Sequence, residues 1–112
     1  MKIELITTLV FDRQYKRLRK KYPSLKEDLL LFEKELEVNP TLGVDLGGNV
    51  RKIRVSIKSK SKGKSGGARV ITYTVLASIQ DQKILLVTIF DKSEQDSISD
   101  DEIKRILRNS GF

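Results

Sequence analysis

Residues 51–69 read RKIRVSIKSKSKGKSGGAR, and this segment holds eight of the chain's 22 Lys and Arg residues but no Asp or Glu. In its first half Ile53 and Val55 alternate with Lys52 and Arg54, which is the period of a β-strand with one buried face. The segment therefore predicts a strand that contacts a core on one side and is cationic on the other.

The second half of this segment, residues 58–67, consists only of Lys, Ser and Gly. It offers no apolar side chain to bury, so we predict a mobile hairpin loop. Flexible lysines bind phosphates with an affinity that falls with salt and has little sequence preference. Four lysines of the loop are therefore predicted to bind RNA: Lys58, Lys60, Lys62 and Lys64.

Hydrophobic periodicity predicts the elements around this segment. These are a strand over 2–10, helices over 11–22 and 24–38, a loop over 41–49, strands over 68–78 and 83–90, and a short helix after Ser99. Pro23 separates the first two helices, which should form an antiparallel hairpin. Ser24 and Ser99 are each predicted to begin a capping box, in which a hydroxyl and a carboxylate accept free amides.

Together these elements predict a single α+β domain over residues 1–112, in the order β-α-α-β-β-β-α. The three late strands should form an antiparallel meander in a sheet of three or four strands, with the helical hairpin on one face. The nearly continuous apolar run at 83–90 indicates a central strand covered on both faces. Lys52, Arg54 and Arg69 should lie on the face opposite the hairpin.

Composition narrows the possible functions. The net charge of +7 favours a polyanionic partner. The chain has no Cys and no His, so we predict no disulfide, no metal site and no cofactor. No run approaches the roughly 20 apolar residues of a membrane span, and the N-terminus lacks a signal-peptide pattern. These features predict a cytoplasmic protein that does not contact membranes.

The aromatic residues and the first helix leave alternatives open. Tyr73 lies four residues after Arg69 and so on the same strand face, where it could stack on a base or simply pack. Tyr15 and Tyr22 lie on the apolar stripe of the first helix and are predicted to be core. The six cations on the other faces of that helix are either solvated or attracted to a partner as large as a ribosome.

Four segments of the sequence resemble the RelE/ParE superfamily of bacterial toxins from toxin–antitoxin pairs, and within it the HigB-like branch. They are NPTLG at 39–43, GNVRKIRV at 48–55, KGKSGGARVI at 62–71 and LLVTIFDKSE at 85–94. The likeness covers nearly the whole chain and implies a RelE-like fold.

The resemblance also implies a function and roles for particular residues. A toxin of this kind enters the A site of the 30S ribosomal subunit and cleaves mRNA by attack of a 2′-OH on the adjacent phosphate. Lys52 and Lys92 would hold phosphates, while Arg54 and Arg69 would stabilise charge on the pentacovalent phosphorane. The implied partner is a cognate antitoxin, of the helix-turn-helix, HigA-like type.

The sequence departs from this family pattern at the proton-transfer step. Relatives place a Tyr or His near the C-terminus as general acid or base, whereas this chain has Ser99 near that position. Asp91 and Glu94 flank Lys92 and are candidates. Two alternatives remain: a gyrase-inhibiting toxin of the ParE type and a non-catalytic RNA-binding domain. The Lys and Arg set favours the nuclease.

Overall fold

The computed structural model describes residues 2–60, 66–76, 78 and 80–112, which form one β-sheet with helices on both faces. The elements are β1 (Lys2–Thr7), α1 (Leu9–Lys21), α2 (Leu25–Val38), β2 (Val44–Gly47), β3 (Val50–Val55), β4 (Ala68–Leu76), β5 (Asp81–Asp91) and α3 (Asp100–Asn109). The predicted α+β class is confirmed. No helix in these described ranges is both long and apolar enough to cross a bilayer.

The sheet has five strands in the order β1-β5-β4-β3-β2. Strands β3, β4 and β5 form the predicted antiparallel meander, and β1 pairs with β5 in parallel. The apolar strand β5 is internal, between β1 and β4, and its residues 84–91 are buried. This agrees with the prediction of a central strand from its nearly continuous apolar sequence.

The prediction of a loop over 41–49 is wrong in part, because β2 lies within it and pairs with β3. All four residues of β2 are exposed, so this edge strand shows no alternation of buried and exposed side chains. The sheet consequently has more than the three or four strands predicted. Four strands instead of three follow α2 in the element order.

The helical hairpin of α1 and α2 covers one face of the sheet, as predicted. Leu18 and Phe32 belong to the same core cluster as Ile53 and Val55 of β3. Helix α3 covers part of the other face, where Ile106 belongs to a second core cluster. The alternation within β3 therefore places Lys52 and Arg54 on the face that α3 only partly covers.

The two predicted capping boxes have different outcomes. The Ser99 hydroxyl caps α3 by accepting a hydrogen bond from the Glu102 amide at 3.1 Å. The Ser24 hydroxyl makes no such bond at α2, so that prediction is wrong. It donates instead to the buried Asp28 carboxylate at 2.7 Å and accepts from the Ser59 amide at 2.9 Å.

The lysine-rich segment after β3 begins with ordered structure. Lys58–Lys60 form a turn of 3-10 helix. The Lys58 amide donates to the Asp28 carboxylate at 3.2 Å, which joins this turn to the start of α2. The predicted mobile loop covered residues 58–67; residues 58–60 instead form this ordered turn, and residues 61–65 lie outside the described residues.

Candidate phosphate-binding site

Arg54 and Arg69 lie directly opposite each other on the antiparallel strands β3 and β4. Side chains of such a pair leave the same face of the sheet, with Cβ atoms about 5 Å apart. Lys52 lies two residues before Arg54 and so about 7 Å further along the same face. Three of the predicted site residues are thus placed together by strand register alone.

The Arg69 side chain is held in place by its surroundings. The residue is buried, and one guanidinium nitrogen donates to the Ala68 carbonyl at 3.2 Å. Burial lowers the pKa of Arg69, the charge of Arg54 lowers it further, and Asp96 acts in the opposite direction. An arginine stays protonated in proteins. Arg69 is therefore a fixed, partly desolvated cation, and its attraction to an anion is stronger than in water.

Lys92 follows β5 and joins the same group. Its backbone amide donates to the Gly67 carbonyl at 3.1 Å, and its ammonium donates to the Asp96 carboxylate. Lys92 lowers the pKa of Asp96, and the charges of Lys52 and Arg69 act in the same direction. One exposed carboxylate is therefore near three of the predicted catalytic cations.

We call Lys52, Arg54, Arg69 and Lys92 the cationic face. All four were predicted to carry the chemistry, and the structure brings them together at one end of the sheet. Sequence reasoning missed Asp96. The spacing of Lys92 and Asp96 could have predicted their ion pair, because side chains four residues apart can contact each other within a turn.

Tyr73 lies on the same sheet face but contacts the C-terminal part of the chain. Its ring meets Phe112 edge to face, with centroids 6.0 Å apart. It also lines a groove with Ile103 and Leu107 of α3. This placement favours the packing interpretation over base stacking. Tyr15 and Tyr22 are half-buried against the core, as predicted.

The predicted RNA-binding lysines are not equivalent. The Lys60 ammonium lies 2.6 Å from the Asp91 carboxylate, and its side chain is 8% exposed, so it points into the protein. Lys58 is the first residue of the 3-10 turn, and it is exposed next to α2. Lys62 and Lys64 lie outside the described residues.

The two carboxylates predicted as acid or base candidates have other partners. Burial alone would raise the pKa of Asp91, but hydrogen bonds from Lys60, Tyr22 and Ser93 hold it well below its usual range. Glu94 is hydrogen-bonded to Arg17, which is the first cause of its own lowered pKa. Asp91 is therefore an ionised structural group rather than a proton donor.

The fold and the site together define an α+β protein whose antiparallel meander carries two opposed arginines on the face away from its helical hairpin. The family model described as the RelE toxin of the RelE/RelB toxin–antitoxin system matches residues 9–111. The chain belongs to this family and is the toxin of a type II toxin–antitoxin system. Toxins of the family are generally ribosome-dependent mRNA endonucleases, and membership implies a cognate antitoxin as partner.

Proposed function

We propose that this chain cleaves mRNA in the A site of the 30S ribosomal subunit, as a single toxin domain of the HigB-like branch. In this proposal its antitoxin is a helix-turn-helix protein of the HigA-like type. The observation that carries the proposal is the direct opposition of Arg54 and Arg69. Like charges directly opposite each other on neighbouring strands are destabilising, and an arrangement of this kind favours the binding of an anion.

The proposed reaction is a transesterification within the RNA. The 2′-oxygen forms a bond to the adjacent phosphorus, and the bond from phosphorus to the 5′-oxygen breaks. The products are a 2′,3′-cyclic phosphate and a free 5′-hydroxyl. The phosphorane between them carries more negative charge than the diester, so prepositioned cations stabilise it more than the ground state. Arg54 and Arg69 have this role, since guanidinium groups bind two phosphate oxygens at once.

Lys52 and Lys92 hold the flanking phosphates in the proposal. Strand spacing separates Lys52 from Arg54 by about 7 Å, which is of the order of the phosphate spacing in a nucleic acid strand. Because the chain has no His, the proton of the 2′-OH passes in this proposal to water or to a group of the ribosome rather than to an imidazole. The ammonium groups of this set can donate a proton to the departing oxygen.

A second basic surface supports ribosome binding. Four exposed cations of α1 make no ion pair within the part of the chain that the structure describes, and we call them the α1 stripe. They are Arg13, Lys16, Arg19 and Lys20. Helix α1 packs on the sheet face opposite the cationic face. One side of the toxin can therefore contact mRNA while the other contacts ribosomal RNA.

A reconstituted translation reaction tests the proposal. Purified toxin is added to ribosomes stalled at defined codons of one mRNA, and the ends of the fragments are mapped. We expect cuts within the A-site codon, no cuts in the same mRNA without ribosomes, and no cuts by Arg69→Ala. Ribosome binding without cuts would instead indicate a non-catalytic RNA-binding domain. Inhibition of gyrase would indicate a ParE-type toxin.

A further inference from the structure

Lys60, Tyr22 and Ser93 surround the buried carboxylate of Asp91 in a hydrogen-bonded group that we call the Asp91 cluster. The Lys60 ammonium contacts one carboxylate oxygen of Asp91 at 2.6 Å, and the Tyr22 hydroxyl donates to the other. The Ser93 hydroxyl and amide donate to Asp91 at 2.8 and 3.0 Å. The Lys60 ammonium also lies 5.3 Å from the centre of the Tyr22 ring, within range of a cation–π interaction.

The cluster joins three segments that are distant in the sequence. Tyr22 follows α1, Lys60 ends the 3-10 turn after β3, and Asp91 is the last residue of β5. A buried ion pair gains little net stability, because the cost of removing both charges from water is large. The cluster is therefore better explained by the geometry that it fixes than by stability alone.

The Asp91 cluster lies next to two residues of the cationic face, Lys92 and Arg69. Asp91 immediately precedes Lys92, and its partner across the strands is Ala68, the residue before Arg69. The Lys92 amide donates to the Gly67 carbonyl at 3.1 Å, so the start of β4 and the end of β5 are joined here. A shift of Asp91 would therefore move Lys92 and Arg69.

We propose that the Asp91 cluster positions Lys92 and Arg69 for RNA cleavage, and that Lys60 is a positioning residue within the protein rather than an RNA ligand. The inference rests on the proposed mRNA cleavage. The carboxylate of Asp91 is 0% exposed, so an RNA phosphate could compete for Lys60 only by opening this buried cluster. Lys60 therefore acts on the reaction through Asp91.

Two variants of the full chain separate positioning from stability. Lys60→Met leaves the buried Asp91 charge without its closest cation, and the melting temperature should fall. Lys60→Met with Asp91→Leu removes both charges, and exchange of a buried pair for apolar residues is often neutral, so the melting temperature should recover. Lys21→Met is the matched control, because its ammonium is 3.8 Å from Asp91 but 49% exposed.

Each variant is measured by single-turnover cleavage at saturating ribosome, by ribosome affinity over a salt series, and by hydrogen exchange of the Lys92 amide. We expect cleavage to fall between about 10- and 100-fold in both Lys60 variants, as for a small misplacement of reacting groups. Exchange of the Lys92 amide should be faster in both. The salt dependence of binding should stay unchanged, and Lys21→Met should match the wild type in cleavage and exchange.

Two results would overturn the inference. One is wild-type stability and cleavage in Lys60→Met, with a salt slope reduced by the equivalent of about one neutralised phosphate, which would make Lys60 an RNA ligand. The other is recovery of cleavage and amide protection together with stability in the double variant, which would make the cluster purely structural. If the wild type itself fails to cleave on ribosomes, the proposed function fails, and melting and hydrogen exchange still decide the role of the cluster.

Discussion

Arg54 and Arg69 lie opposite each other in register on β3 and β4, with their guanidinium groups on the same face of the sheet. Neighbouring strands are about 4.8 Å apart, so the two charges repel, and the burial of Arg69 increases the cost. A bound phosphate removes the repulsion, and the transition state, with more negative charge, removes it further. The proposed phosphate chemistry rests on this pair of arginines.

Replacement of Arg69 by Ala should stop growth arrest while ribosome association survives. Arg69 is buried and fixed, so its loss removes a preorganised cation from the phosphorane, which typically costs about 10²–10³ in rate. Single-turnover mRNA cleavage at saturating ribosome measures the effect. Arg105→Ala is the control, because that arginine lies exposed on α3 in a pair with Glu102. Wild-type cleavage by bound Arg69→Ala would show that Arg69 only positions the RNA.

Asp96→Asn should strengthen RNA binding. The carboxylate of Asp96 is 90% exposed and pairs with Lys92, so an incoming phosphate must compete with it for that ammonium. Exposed pairs are weak, so we expect affinity for ribosome-bound mRNA to rise by roughly two- to fivefold. Asp101→Asn, on the exposed side of α3, removes the same charge at a distance and serves as control. Equal gains in both variants would indicate a general effect of net charge.

The fold could be predicted because its main elements bury one face each. The alternation of apolar and charged residues in β3, and the helical period of apolar residues in α1 and α2, indicate which side of each element contacts the core. Strand β2 could not be predicted, because all of its residues are exposed and no burial pattern marks it. Its pairing with β3 depends on backbone hydrogen bonds, to which any sequence can contribute.

Strand periodicity predicted one part of the site, whereas Lys92 was predicted from the family resemblance. Lys52, Arg54 and Arg69 follow from the alternation in β3 and its pairing with β4. The burial of Lys60 could not be predicted, because its partner Asp91 is distant in sequence and a lysine among Ser and Gly resembles a solvated one. Local patterns do not contain such tertiary partners.

The stability of the protein should fall in acid through Asp91. Its pKa is lowered on folding, so its contribution is complete above the unfolded pKa of about 3.9 and is lost as pH falls through the folded value. Asp91→Asn should lower the free energy of unfolding at pH 7 by roughly 3–5 kcal/mol, because the buried Lys60 charge loses its partner. Denaturant unfolding between pH 7 and pH 3 measures both.

The difference between the wild type and Asp91→Asn should shrink as the pH falls below about 4, because the unfolded wild-type chain then binds a proton at Asp91 that the folded chain, with its lowered pKa, does not. Glu94→Gln is the control, because its pair with Arg17 is largely exposed and should contribute less than about 1 kcal/mol. A constant difference across the whole pH range would show that the charge of Asp91 contributes nothing.

Replacement of the α1 stripe should weaken ribosome binding without changing the cleavage step. With Lys16→Gln and Lys20→Gln together, the slope of log affinity against log salt should become shallower by about 0.7–0.9 for each phosphate that is no longer neutralised. Lys26→Gln with Lys34→Gln, two exposed lysines of α2, is the matched control. Equal slopes for the two pairs would exclude a specific role for α1. Cleavage by the bound variant should equal that of the wild type.

Gly67→Ala should disturb the stability and the activity of the protein together. A Cβ at position 67 would lie 2.1 Å from the backbone carbonyl oxygen of Val55, so β3 and the start of β4 would have to separate. Strain of this kind costs about 1–3 kcal/mol. The separation would act on Arg54 and Arg69, which pair close to this junction. Cleavage at saturating ribosome should therefore fall even at temperatures where the variant remains folded.

Gly48→Asn is the control for this substitution. Gly48 has a φ of +59° and no atom near the added Cβ, and Asn tolerates this left-handed conformation better than most residues. It should keep both the melting temperature and the cleavage rate close to wild type. If Gly67→Ala also melts and cleaves like the wild type, the β3–β4 junction is not tight. The close approach at Gly67 then has no part in holding the two arginines opposite each other.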